Sequence, residues 1–289
     1  MIPSLMTRTG RRILRPAVLM LALTASLGAE ARAPTQPLRN GSVEASYTMG
    51  LNGITIGRFK LNAHVERANY TMAITGTTSG LSRLVSDGTG LLKSSGQIVG
   101  ASVKPDDYYL DTTENGQTSS VVDMRMRSGT IVSVAALPPL PIKADRVPLL
   151  PQHKHSIVDP LSAMIAPLYP ANMGRACNRT IPVFDGWQRF DIRLFYKSTA
   201  EVKGEGGSYS GTVYVCGARY VPVAGHRPSR DAVKFMEANT NLEVWLAPAE
   251  ELGLMLPYRM QIGTEAGVLT IHASRFESIA QDQRAAAAD

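Results

Sequence analysis

Apolar residues recur with a period of two through most of the chain. In "NYTMAITG" Tyr70, Met72 and Ile74 alternate with threonines and small residues, and in "VVDMRMR" Val122, Met124 and Met126 alternate with Asp123, Arg125 and Arg127. The stretch "FDIRLFY" puts Phe190, Ile192, Leu194 and Tyr196 on one side, and "NLEVWL" and "VLTIHA" repeat the pattern near the end. Successive side chains of a strand point to opposite faces, so each stretch predicts a half-buried antiparallel strand. Asn52-Gly53 and Asn115-Gly116 stand between such stretches and suit the positive φ angles of a type I′ hairpin turn. In "ITIGRFKLNAHVE" the apolar phase slips from Ile54 and Ile56 to Phe59, Leu61, Ala63 and Val65, which predicts a β-bulge at Gly57.

Helical signals are few. "VDPLSAMIAP" offers Asp159 as N-cap, Pro160 at the first helical position and a stop at Pro167. "SRDAVKFMEAN" predicts a short helix capped by Ser229, with Val233 and Met236 on one face, and "GLSRLVSD" two further turns. Between two strand blocks, about 40–136 and 175–277, lies "LPPLPIKADRVPLLPQHKH", with five prolines from Pro138 to Pro151. Proline lacks the N–H that a helix interior or a central strand needs, so this is an extended connector. The blocks are either two halves of one sheet or separate units. The tail, residues 278–289, shows no core pattern and is expected to be disordered. The expected fold is mainly β: an antiparallel open barrel or β-spiral of many short strands, with two or three short helices, in one domain over residues 32–277.

The N-terminus changes how the charge is read. Arg8, Arg11, Arg12 and Arg15 precede the apolar run "PAVLMLALTASLGA" and an A-x-A site, the three-part pattern of a secretory signal peptide over residues 1–31. The run is too short to span a bilayer as a helix, so no transmembrane anchor is expected after cleavage, and the periplasm is the expected location. The full chain carries 30 basic and 24 acidic residues. Without residues 1–31 these become 26 and 23, a formal charge of +3. That charge, with no dense basic stripe bearing stacking aromatics, argues against a nucleic-acid partner.

Export makes Cys177 and Cys216, the only two cysteines, disulfide-permissive. Neither sits in C-x-x-C, and no histidine lies within ten positions of Cys177 to share a metal, so a structural bridge is predicted. His153 and His155 share the side of an extended chain but lack a third ligand, and no metal or cofactor is expected. No G-x-S-x-G or S-x-x-K occurs, and "GEGGSYSG" lacks the Lys-Ser/Thr of a phosphate loop. Asp185 and Asp191 could form an acid/base pair, but Asp191 lies in phase between Arg189 and Arg193, which suits an ion-pair ladder better.

One region stands above this background. From Arg175 to Lys234 there are ten basic residues against five acidic, with Trp187 and the turn "GHRP" among them. Its candidate binding residues are Trp187, Arg189, Asp191, Arg193, Arg219, His226 and Arg227. Either they gather on one face for an anionic envelope component or an acidic partner surface, or they are solvated strand faces.

"MGLNGITIGRF", "TSGLSRLVSDGTG", "VDPLSAMI", "CNRTIPVFDGWQRFDI", "CGARYVPVAGHRP" and "PYRMQIGTEAGVLTI" together resemble the exported bacterial family catalogued as domain of unknown function 3108, in order and over nearly the whole chain after residue 31. The layout is also similar to exported β-spiral proteins with one disulfide that support envelope integrity, and to half-barrels that carry lipoproteins. The resemblance implies a secreted, β-rich envelope protein and brings no catalytic residues. The expectation is a non-catalytic protein of envelope maintenance that binds an envelope protein or an anionic envelope component. One alternative is a carrier of a lipid or other apolar ligand, lined by some of the twelve methionines. The other is an envelope-polymer hydrolase using His226 with Asp185 or Asp191.

Overall fold

The computed structural model describes residues 37–78, 88–169, 172–204 and 208–281. The expected signal peptide and the expected turns at "GLSRLVSD" (80–87) lie outside the described residues. Fourteen strands form one antiparallel sheet, thirteen of them in a single path. Its first half is a meander of β1 (Gly41–Leu51), β2 (Ile54–Glu66), β3 (Asn69–Thr78), β4 (Gly88–Val99), β5 (Ser102–Glu114), β6 (Gln117–Arg127) and β7 (Thr130–Leu137). After a short β8 (Ala166–Pro167), a second meander comprises β9 (Arg179–Phe184), β10 (Arg189–Val202), β11 (Gly211–Ala224), β12 (Leu242–Ala249), β13 (Leu254–Thr264) and β14 (Gly267–Ala280). The halves join where β1 pairs with β14, from Gly41 opposite Ala280 to Leu51 opposite Leu269. Both strand blocks therefore belong to one sheet, left open at its edges, β7 and β9. Residues 278–280, expected in a disordered tail, continue the β14 ladder instead, because β1 offers them partners. Residues 282–289 lie outside the described residues.

Local chemistry accounts for the ladders. Val122, Met124 and Met126 of β6 are buried while Asp123, Arg125 and Arg127 are exposed. The Asn52-Gly53 and Asn115-Gly116 turns take the expected positive φ angles. Asn52 does more: its Oδ1 accepts from Val268 N–H and its Nδ2 donates to Ala266 C=O, fastening the β1–β2 turn to the β13–β14 turn. The register steps from Met49 opposite Gly57 to Gly50 opposite Thr55, which places the extra residue at Ile56, beside the expected Gly57. Tyr196, expected inward with Leu194, is exposed, although its pairing with Cys216 continues the Leu194–Ala218 register; the inward pattern of β10 stops at Leu194.

Helix is scarce. The one α-helix among the described residues, α1 (Asp231–Ala238), is not capped by Ser229: its N-cap is Arg230, and the Ser229 hydroxyl donates to Asp145. The helix expected after Asp159 reduces to a single 3-10 turn, Ser162–Met164. Its N-cap is Leu161 rather than Asp159, but Asp159 Oδ1 accepts from the Leu161 and Ser162 N–H groups at 2.9 Å each.

The connector from β7 to β9 runs between the two free edges and fills the space between them. Ile157 N–H donates to Gly129 C=O at the β6–β7 turn, and Val158 forms a parallel bridge to Val183 of β9. Ile157, Leu161 and Ile165 are fully buried in a core shared with Val43, Leu61, Tyr70 and Met124. Within the same core the Ser162 hydroxyl donates to Asp159 and lies 2.6 Å from the Tyr70 hydroxyl and 2.8 Å from that of Ser94. Asp159 is wholly buried, and burial pushes its carboxyl above the usual range. A second cluster surrounds the Cys177–Cys216 disulfide, which spans from the turn before β9 to β11 and closes a 39-residue separation. Loop-closure entropy gives such a bridge about 3–4 kcal/mol.

Candidate functional site

Strand pairing decides which of the basic residues meet. Ile192 lies opposite Tyr220, and Arg193 opposite Arg219. Residues opposite one another share a face, so Arg189, Asp191, Arg193 and Arg219 fall on one face of β10–β11 and Phe190, Ile192 and Tyr220 on the other. The expected single surface is thus split. On the first face Arg189 and Asp191 form an ion pair at 2.7 Å, and the Arg219 guanidinium lies over the Phe195 ring, 5.3 Å from its centre. Arg193 is exposed beside them. Trp187 joins neither set: its indole N–H donates to Pro138 C=O in the connector at 2.9 Å.

His226 and Arg227 lie with the second face, where a groove of about 530 Å³ opens. Phe190 and Tyr220, their rings 5.2 Å apart, give it an apolar floor, and Val233 and Met236 of α1 extend that floor. Leu140, Pro141 and Arg146 of the connector form the opposite wall. These connector residues are missing from the sequence-based set, because a proline-rich run read as solvated linker gives no sign of what it docks against. The one hint was the charged pair Asp145-Arg146 inside it.

The wall is fixed by hydrogen bonds. Arg146 donates to Pro141 C=O at 3.2 Å and to Gly225 C=O, while Val147 and the Gly225–His226 turn exchange backbone bonds. Gly225 has φ +82°, and a Cβ there would meet Trp187 C=O at 2.3 Å, so the close approach requires glycine. The Ser229 hydroxyl and Arg227, paired with Asp145 at 2.8 Å, hold that carboxyl below the usual range.

The remaining charges set what the groove attracts. Among the described residues Arg146 and Arg230 have no carboxylate within ion-pair distance. Asp185 also lines the groove, and burial raises its carboxyl pKa although its Oδ1 accepts from Trp187 and Gln188 N–H. His226 is buried, desolvation lowers its pKa, and its Nδ1 has no hydrogen-bond partner. No hydrogen bond among the described residues couples His226 to Asp185 or Asp191; Asp185 shares the groove with His226, and Asp191 lies on the opposite face of the sheet. Nor do three or more His, Cys, Asp or Glu converge as a metal cluster among the described residues. The groove can bind an anion against an apolar floor.

Fold and site define an open antiparallel β-sheet protein, tied by one disulfide, with a basic groove where the connector meets the second meander. Its residues 46–274 match the family of proteins of unknown function DUF3108, and the chain belongs to that family. No curated protein sequence matches it. Among solved structures it is similar to a beta-barrel-like protein of the domain of unknown function DUF1849 from Brucella abortus, with a TM-score of 0.49 and 11% identity over 84% of this chain and 99% of that one.

Proposed function

We propose that this protein is exported to the periplasm and serves the cell envelope there by binding, without catalysis, holding an anionic envelope component in the groove between the connector and α1. The observation that carries the reading is the pair Arg146 and Arg230, which line the groove with Phe190 and Tyr220 and have no carboxylate partners among the described residues. Arginines over a partly apolar floor suit phosphate or carboxylate groups that bear some carbon.

Calorimetric titration of the chain lacking residues 1–31 with glycerol phosphate tests the groove. Arg230 is exposed, so Arg230→Glu leaves the fold intact while reversing the charge. Its affinity is expected to fall on the order of tenfold. Equal affinity in that variant, or no heat with the wild type, removes the groove from the reading. Recovery of an uncleaved N-terminus from the cytoplasmic fraction removes the location.

A further inference from the structure

Resting on that reading, we infer that the anion is the headgroup of an anionic phospholipid still in its bilayer, and that the stretch Leu137–Ile142 beside the groove is an apolar anchor that enters the membrane surface. Leu137 is 58% and Ile142 99% exposed, and Pro138, Pro139 and Pro141 between and beside them are exposed as well. Side chains this apolar gain by leaving water. Three prolines in the stretch also lack backbone N–H donors, so fewer polar groups would enter the apolar layer unpaired.

The stretch is presented already ordered. Trp187 Nε1 holds Pro138 C=O at 2.9 Å, and Arg146 Nε holds Pro141 C=O at 3.2 Å. Those carbonyls are satisfied by the protein, and little ordering cost remains on contact. Lys143 follows the apolar tip immediately, and Arg146 and Arg230 stand at the groove. The acidic residue just after the stretch, Asp145, is taken up by Arg227 and Ser229.

An apolar tip ringed by cations is the pattern of interfacial attachment to anionic lipid. Geometry supports it further. Leu140 and Pro141 line the groove while Ile142, the next residue, points into solvent, so a phosphate in the groove would lie beside the inserted tip. In a bilayer the phosphate likewise adjoins the acyl layer.

Co-sedimentation with vesicles tests this, using phosphatidylglycerol mixed into phosphatidylcholine against phosphatidylcholine alone. The chain without residues 1–31 is expected to bind the anionic vesicles and to lose that binding at high salt. Ile142→Asp should weaken vesicle binding on the order of tenfold, with glycerol phosphate affinity and melting temperature unchanged. Arg230→Glu should weaken both vesicle and glycerol phosphate binding. If glycerol phosphate binds and vesicles do not, the groove stands and the membrane inference is wrong, as it would be for a protein partner that grips the proline-rich stretch. Wild-type vesicle binding by Ile142→Asp removes the anchor. Absence of both kinds of binding removes the groove itself.

Discussion

Between β7 and β9 the chain makes two passes. On the first, residues 138–150, it carries Leu140, Ile142 and Leu150 across the surface and leaves Ile142 in water. On the second, residues 157–168, it takes Ile157, Leu161 and Ile165 through the core. Both passes are apolar and both contain proline. What separates them is the provision for backbone polar groups, which must be paired before a segment can be buried. The second pass has that provision: Val158 bridges β9, Asp159 accepts from two N–H groups, the 3-10 turn pairs its own, and Leu168 N–H reaches Gly253 C=O. The first pass has four prolines and carbonyls held by surface side chains, Trp187 and Arg146. Hydrophobicity alone does not bury a segment.

A matched pair of substitutions gives the largest effect. Leu161→Ala removes a fully buried side chain from a packed core and should cost about 2–5 kcal/mol in urea unfolding. Ile142→Ala should stay within about 0.5 kcal/mol of wild type, as surface changes do. Similar losses at both positions would erase the distinction between the passes.

Next is the polar anchor of the second pass. Ser162→Ala takes a partner from the Tyr70 hydroxyl and from the Asp159 carboxyl, both buried. Leaving buried polar groups unpaired should cost about 1–3 kcal/mol, read from the same unfolding curves. A loss no larger than that of an exposed serine, such as Ser133, would show that the hydroxyl does not hold the connector in place.

A smaller effect is expected on the first pass. Arg146→Ala releases the carbonyls of exposed Pro141 and buried Gly225, for about 1 kcal/mol. Its signature is local: faster amide exchange at Val147, whose N–H donates to His226 C=O, with exchange in β1 and β14 unchanged. Uniformly faster exchange would mean that Arg146 supports the whole sheet.

The difference between the passes also marks how far the sequence could be read. Strands were legible because alternation at Val122, Met124 and Met126, or at Leu61, Ala63 and Val65, is dictated by the pleat itself, and Asn-Gly turns by positive φ. The disulfide was legible because two cysteines leave one pairing. The groove was not. Its floor is set by which residues face one another across β10 and β11, and the register slip between Arg189 and Phe190 cannot be counted from spacing. His226 and Arg227 line the groove, but Arg189, Asp191, Arg193 and Arg219 share their stretch of sequence only, and the pleat sends those four to the opposite face. Arg146 and Arg230 enter only through docking of the connector and α1, contacts that arise from distant parts of the chain.

The smallest expected effect is a pH slope carried by Asp159. Burial raises its carboxyl pKa above the ordinary value of 3.8, against the opposing bonds from Ser162, Ser94 and Leu161. The folded state therefore binds the proton more tightly than the unfolded chain, and between the two pKa values the unfolded state holds fewer protons. Stability must then fall as pH rises from about 3.8 through the folded-state pKa, the reverse of an acid held by an ion pair. Asp185 slopes in the same direction, so the wild-type curve alone does not separate them. Asp159→Asn does, because the amide keeps an oxygen for the Leu161 and Ser162 N–H groups and does not titrate. Melting temperatures from pH 4 to 7 should decline less steeply in the variant than in the wild type. Parallel curves would mean that Asp159 keeps one protonation state throughout that range, and that its hold on the second pass is indifferent to pH.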